Sequence, residues 1–213
     1  VAPAAEPARP PVVPGARVTA PELVALGLGG NLGSPGEIEA ALREALDRLG
    51  ETLGGLRVAS LYRGAAVSPQ PQPDFFNTAA IGNTALAPEV VLAIAKALEL
   101  AAGRRTGRRF GPRPLDIDLL LYGGLRSPAP ELTLPHPRLT ERRFVLAPLA
   151  EIAPELPIPP LGVTPGELLR QLPASAPPVE RLGWSGVRPP GPAGLGCRLG
   201  TEPSRRQPPA AGG

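Results

Sequence analysis

Between Leu23 and Tyr122 the apolar positions switch among continuous runs, helical spacing and alternation, and each switch marks an element. Residues 23–28 (LVALGL) form a short apolar run that breaks at Gly29-Gly30-Asn31, which predicts a strand and then a loop. Ser34-Pro35 opens a segment in which Ile38, Leu42, Ala45, Leu46 and Leu49 recur at helical spacing. Alternation from Leu56 to Tyr62 predicts a second strand, and Phe75 to Asn83, beyond a loop rich in Pro and Gln, predicts a third. Pro88 begins a second helix that runs through Leu100, with Val91, Leu92, Ala95 and Leu98 placed for burial and Gly103 just past its end. Leu115 to Tyr122 is the last strand of the series. The order β-α-β-β-α-β is the split βαβ pattern, so the expected class is α+β: a mostly antiparallel sheet with packed helices, in a single domain. Residues 132–172 read as turns and short helices closing one side of that sheet.

Composition sets the limits of this domain. Of the 32 Pro in the 213-residue chain, 15 lie in residues 1–22 and 173–213, a larger share than those segments' length. Residues 1–22 lack apolar periodicity, and residues 173–213 are poor in large side chains, so both are expected to be disordered tails around a domain at 23–172. The formal charge of +3 raises the question of nucleic acid, but the body carries 15 basic and 15 acidic residues, and the excess lies in the C-terminal tail. A neutral body with 3% aromatic content argues against an RNA-binding domain, although RNA-recognition folds share the split βαβ order. The lone Cys197 excludes a disulfide framework within one chain, and no apolar run is long enough to span a membrane. With no signal-peptide pattern at residues 1–22, the expected compartment is the cytoplasm.

The chemistry concentrates in RRFGPRPLDIDLLLYG, residues 108–123. On a strand, Asp116 and Asp118 share a face with Cα atoms about 7 Å apart, while Leu115, Ile117 and Leu119 take the other. Two carboxylates on an otherwise apolar strand either face solvent at a sheet edge or hold divalent cations between them, for which Mg²⁺ suits hard oxygen ligands. Arg104, Arg105, Arg108, Arg109 and Arg113 crowd beside this pair, and carboxylate-held Mg²⁺ flanked by guanidinium groups is equipment for a polyphosphate. There is no GxxxxGK[ST] loop, and Lys96, the only lysine, falls within a helix. His136, the only histidine, stands between two prolines in LPHPRL and is either structural or a phosphate hydrogen-bond donor. In PQPDFFN, Phe75 and Asn77 share a strand face, where a ring and an amide could meet one flat heterocycle; core filling is the alternative for Phe75 and the better reading for Phe76.

LGLGGNLGSP, SLYR, PQPDFFN, LELAAGR, RFGPRPLDIDLLLYG and LTLPHPRLTERRFVLAPLAEIAPEL occur in this order over residues 23 to about 157. Together they resemble the 6-hydroxymethyl-7,8-dihydropterin pyrophosphokinase family. The resemblance implies a ferredoxin-like fold and transfer of pyrophosphate from ATP to the pterin hydroxyl, releasing AMP, in folate biosynthesis. It further implies two Mg²⁺ ions on Asp116 and Asp118, pterin between Phe75 and Phe144 with Asn77 at its edge, and ATP among Glu99, Arg104, Arg113, Thr133, His136 and Arg142. Arg104 and Arg113 join the two aspartates as the implied catalytic set. A monomer is expected, with docking to a neighbouring folate enzyme left open and no nucleic-acid or membrane partner. A non-catalytic module holding a nucleotide is the rival reading, against which the intact aspartates argue. The chain departs from the family pattern at Gly64-Ala65, where Thr-Pro is usual, at Thr106, where a second loop Arg is usual, and at Phe110, where Trp is common.

Overall fold

The computed structural model describes residues 20–104 and 111–185. Its central sheet contains β1 (Glu22–Gly30), β2 (Gly54–Val58), β3 (Leu61–Gly64), β4 (Phe75–Thr84), β5 (Asp116–Tyr122) and β8 (Val179–Leu182). The order is β5-β1-β4-β3-β8, with β2 also paired to β4, and every pairing is antiparallel. Helices α1 (Pro35–Gly50) and α2 (Pro88–Ala101) make the crossovers of the split βαβ unit. A hairpin of β6 (Ser127–Ala129) and β7 (Leu132–Leu134) follows β5, and α3 (Arg143–Ile152) and α4 (Pro165–Gln171) precede β8. The α+β class and antiparallel sheet are thus as expected.

The sheet separates two apolar layers because its central strands are apolar on both faces. On one face Val24, Leu26 and Leu28 of β1 and Ile117 and Leu119 of β5 meet Leu42, Leu46 and Leu49 of α1 and Val91 and Ala95 of α2. On the other, Ala25, Ala79, Ile81 and Leu121 pack with Leu146, Leu149 and Ile152 of α3. Helices α1, α2 and α4 each start with a proline in the first turn. Ser34 caps α1 reciprocally with Glu37, and Pro35 follows at the first turn. Glycine at 103 has φ +89°, and this left-handed turn lets the Arg104 N–H bond back to the Glu99 carbonyl at 3.0 Å. The Arg104 side chain is thereby returned to the end of α2.

Two expectations are corrected. The alternation of Leu56 to Tyr62 is not one strand but two, β2 and β3, separated at Ala59-Ser60. The expected domain edge at residue 172 falls too early, because β8 pairs with β3 along Leu61↔Leu182, Tyr62↔Arg181, Arg63↔Glu180 and Gly64↔Val179. Beyond it, the Trp184 indole N–H donates to Ala59 O at 2.9 Å, Arg43 lies over the Trp184 ring at 5.0 Å, and Ser185 donates to the buried Glu39 carboxylate through both its N–H and its hydroxyl. A single short strand with two charged residues has no local signal; its partner strand and these long-range bonds supply its stability. The expected disorder of residues 1–19 and 186–213 concerns chain outside the described residues.

At the edge where α3, β3 and β8 meet, the Glu151 carboxylate accepts from the Ser60 N–H (3.1 Å) and hydroxyl (2.8 Å), the Tyr62 hydroxyl (2.9 Å) and Arg181 Nη2 (2.9 Å). Burial acts to raise the Glu151 pKa, but the bonds from Arg181, Ser60 and Tyr62 outweigh it and bring the group down to about 2. Burial, helped by the Glu151 bond, pushes the Tyr62 hydroxyl up to about 12. A depressed carboxylate contributes stability that is complete above its unfolded value and lost as pH falls towards its folded one. Urea unfolding should therefore show a loss on the order of 1 kcal/mol from this network between about pH 4.5 and 2, after allowance for solvent screening. Glu151→Gln should lack this part of the acid limb, and parallel curves for variant and wild type over that window would contradict the assignment.

Candidate functional site

Beyond the N-terminal end of α3 the sheet face is uncovered, and the residues there are small. Gly27 and Gly29 of β1 pair with Asp118 and Asp116 of β5 on one side and with Ala79 and Asn77 of β4 on the other. Paired residues in an antiparallel sheet point to the same face, so the two glycines form a floor flanked by carboxylates and an amide. A Cβ at Gly29 would lie 2.5 Å from Asn77 Oδ1, and one at Gly27 would touch Leu120 at 3.4 Å. Side chains there would fill the floor and displace the amide. The cavity above it is about 330 Å³, within the range of small-molecule sites.

Nine of the eleven residues singled out from sequence line this one cavity: Phe75, Asn77, Arg104, Arg113, Asp116, Asp118, His136, Arg142 and Phe144. Phe75 and Asn77 come from β4 and share its pocket face, as their spacing requires, while Phe144 comes from the first turn of α3. Arg142 lies over the Phe144 ring, 5.3 Å from its centre. Two aromatic rings and an amide thus line the same cavity as the charged groups.

Asp116 is held by two guanidinium groups: Arg104 Nη1 is 2.6 Å from Oδ1 and Arg113 Nη1 is 2.8 Å from Oδ2. Asp118 is more open, with 37% of its side chain exposed and His136 Nε2 3.9 Å from Oδ2. His136 Nδ1 accepts the Arg138 N–H at 3.2 Å, which leaves the proton of a neutral ring on Nε2, facing the carboxylates. Burial, and then Arg142 and Arg138, lower the His136 pKa against the opposing pull of Asp118 and Asp116. The same burial, with Arg138 beside it, lowers that of Arg142. Five cationic side chains line the cavity against two carboxylates, an excess that suits a polyanion.

Glu99 and Thr133 are the two sequence-selected residues that do not line the cavity among the described residues. Glu99 is 2% exposed, and its carboxylate accepts the Ile117 N–H (2.7 Å), Lys96 Nζ (2.8 Å) and Arg104 Nη1 (2.5 Å). It braces Arg104 from beneath. The Thr133 hydroxyl donates to Ala129 O at 2.9 Å within the β6–β7 hairpin. Arg105, Arg108, Arg109, Thr106 and Phe110 lie outside the described residues.

Three contributors escaped sequence reasoning. Lys96, for which the sequence gives only a place within a helix, lines the cavity, as does Arg138. Asn31 is 1% exposed and joins three loops: Oδ1 accepts the Arg113 N–H at 3.0 Å, while Nδ2 donates to Gln72 Oε1 and Pro73 O at 3.2 Å each. Its place beside Gly29-Gly30 was the available signal, since a polar residue at the end of a fully apolar strand needs partners. Among the described residues no helix is long and apolar enough to cross a membrane.

Comparison with known proteins adds a family. The model described as 7,8-dihydro-6-hydroxymethylpterin-pyrophosphokinase (HPPK) matches residues 25–154. The chain is 42% identical over 160 residues to the 2-amino-4-hydroxy-6-hydroxymethyldihydropteridine pyrophosphokinase of Pseudomonas aeruginosa, covering 75% of this chain and 96% of that protein. It is also 42% identical over 132 residues to the mitochondrial folate synthesis bifunctional protein of Arabidopsis thaliana, covering 61% of this chain but only 23% of that longer protein. Among solved structures, a Plasmodium falciparum HPPK-DHPS variant superposes with a TM-score of 0.57 at 14% identity, covering 71% of this chain and 45% of the other, and so shares its fold.

Proposed function

Because the chain belongs to the 7,8-dihydro-6-hydroxymethylpterin-pyrophosphokinase family, we propose that its pocket carries out that family's reaction, the transfer of pyrophosphate from ATP to a hydroxymethyl dihydropterin on the way to folate. The observation that carries this reading is that one cavity brings together two aromatic rings and an amide with five cationic side chains and two aspartates. A flat heterocycle fits the first and a triphosphate the second.

Phe75 and Phe144 take the two faces of the pterin, the glycine floor gives it room, and the Asn77 amide meets donor and acceptor groups on its edge. Arg104, Arg113, Arg142 and the His136 Nε2–H hold the triphosphate, with Lys96 and Arg138 adding positive charge. Glu99 acts through Arg104, which it orients. The donor set fits Mg²⁺: two carboxylates face the cavity, and among the described residues no group of three or more metal-ligating side chains exists. Such a partial shell suits an ion that keeps waters and takes its remaining oxygens from substrate phosphates. Asp116 and Asp118 would hold two such ions, which supply charge neutralisation on the phosphates. Arg104 and Arg113, now paired to Asp116, are placed to exchange that carboxylate for phosphate oxygens. The pterin hydroxyl then attacks the β-phosphorus, the bond to the AMP oxygen breaks, and positioning by these fixed groups supplies most of the acceleration.

The test is AMP formation by the full chain given ATP, Mg²⁺ and 6-hydroxymethyl-7,8-dihydropterin. AMP that appears only with the pterin present is the expected outcome, and its absence from folded protein would overturn the reading. The bifunctional relatives support a further proposal, that this chain docks with a separate folate-synthesis enzyme.

A further inference from the structure

Beyond the family-matched span, which ends at residue 154, residues 173–185 return to the sheet edge next to the pocket. Its register creates two cross-strand rows on the pocket face. One runs Asn77, Tyr62, Arg181 and the other Phe75, Gly64, Val179, through β4, β3 and β8 in turn. The pocket-lining members of these rows are Phe75 and Asn77, and β8 backs both from two strands away.

Gly64, one of the positions at which the sequence departs from its family's pattern, sits in the second row. A Cβ there would be 3.0 Å from Val179 Cγ1 and 3.3 Å from Pro178 O, so the space of the missing side chain is taken up by β8. The first row is fastened to α3. Glu151, in the last turn of that helix, accepts from Ser60 and Tyr62 of the β3 edge and from Arg181 of β8, while Phe144 stands in the first turn of the same helix. Arg63 and Glu180 add an ion pair at 2.5 Å across β3 and β8. One carboxylate therefore ties the last turn of the helix that carries Phe144 to β3, the neighbour of the strand that carries Phe75 and Asn77, and to β8, beside the apolar contacts that seat the helix.

We propose that β8 and the Glu151–Arg181–Tyr62 network are positioning elements of the pterin pocket, holding its two aromatic walls at the separation one flat ring needs. This rests on the reading that the pocket takes a pterin. An exposed ion pair alone contributes little, but four donors on one carboxylate resist displacement more than a single pair does, and the strongly lowered Glu151 pKa agrees with that. Walls displaced by a fraction of an ångström weaken stacking, while Arg104 and Arg113, held to Asp116 by the end of α2 and the approach to β5, stay in place to bind phosphate.

The test uses the full chain and dihydropterin fluorescence to titrate 6-hydroxymethyl-7,8-dihydropterin, with KM for ATP measured in parallel. Glu151→Ala should weaken pterin binding about tenfold and Arg181→Ala about threefold, each with KM for ATP within about twofold of wild type. Arg181→Lys should recover part of the loss, and Arg181→Ala should add nothing in the Glu151→Ala background, because both act through one network. If Glu151→Ala does not fold, Arg181→Ala and Val179→Ala carry the test alone. Unchanged pterin affinity in the folded variants, or equal losses for pterin and ATP, would overturn the positioning role while the pocket reading stands. Wild-type protein that fails to bind the pterin in the same titration would overturn both.

Discussion

Asp118→Asn should lower pyrophosphate transfer by about three orders of magnitude while leaving the thermal unfolding midpoint where it is. The separation follows from how the two aspartates are held. Asp118 lines the cavity with no ion-pair partner among the described residues nearer than His136 at 3.9 Å, so among them its charge does no structural work that an amide of the same shape would undo. What the amide lacks is the second hard anionic oxygen a divalent cation requires. Asp116 is different, since Arg104 and Arg113 both bind it, and Asp116→Asn should lose activity together with the order of the Arg104 end of α2. Turnover at saturating ATP and Mg²⁺, set beside a thermal melt, checks both. Near-normal turnover in Asp118→Asn would remove the metal assignment, and a large fall in its melting temperature would mean that the loss reports unfolding.

The difference between these two neighbours was not legible in the sequence, and the reason is physical. Period-two spacing placed Asp116 and Asp118 on one face correctly, as it placed Phe75 with Asn77, because strand geometry is local. Helical spacing likewise gave α1 and α2, whose ends are fixed by Ser34, Pro35, Pro88 and Gly103. Which partner a side chain chooses is decided by residues distant in sequence. Glu99 looked like a ligand by motif, yet its oxygens are committed to Ile117, Lys96 and Arg104, a result of α2 crossing β5 that spacing along α2 does not encode. Residues VERL of β8 carry no alternation strong enough to outweigh the Pro-rich stretch around them, and they become a strand because β3 offers an unpaired edge and Glu151 a partner for Arg181. The same non-local logic explains the Gly64 departure, where Val179 of β8 fills the space of the missing side chain.

Phe144→Ala is expected to weaken pterin binding by about 10- to 100-fold, the worth of about 1.5 to 3 kcal/mol of aromatic stacking on a flat heterocycle. The ring is half-buried at the mouth of α3, whose hold on the sheet comes from Leu146, Leu149 and Ile152, so removing it should leave the helix in place. Arg142, which lies over the ring at 5.3 Å, loses that platform but keeps its carboxylate neighbours, and ATP affinity should change by less than about threefold. Phe144→Tyr keeps an aromatic face and should stay close to wild type; Phe144→Leu keeps bulk without a π-face and should fall between. Isothermal titration of each variant with pterin and, separately, with a non-hydrolysable ATP analogue reads the two ends of the cavity independently. Equal losses for both ligands would show that the ring packs α3 rather than stacking on substrate, whereas a loss confined to pterin that Tyr repairs and Leu does not requires the aromatic face itself, which packing alone cannot explain.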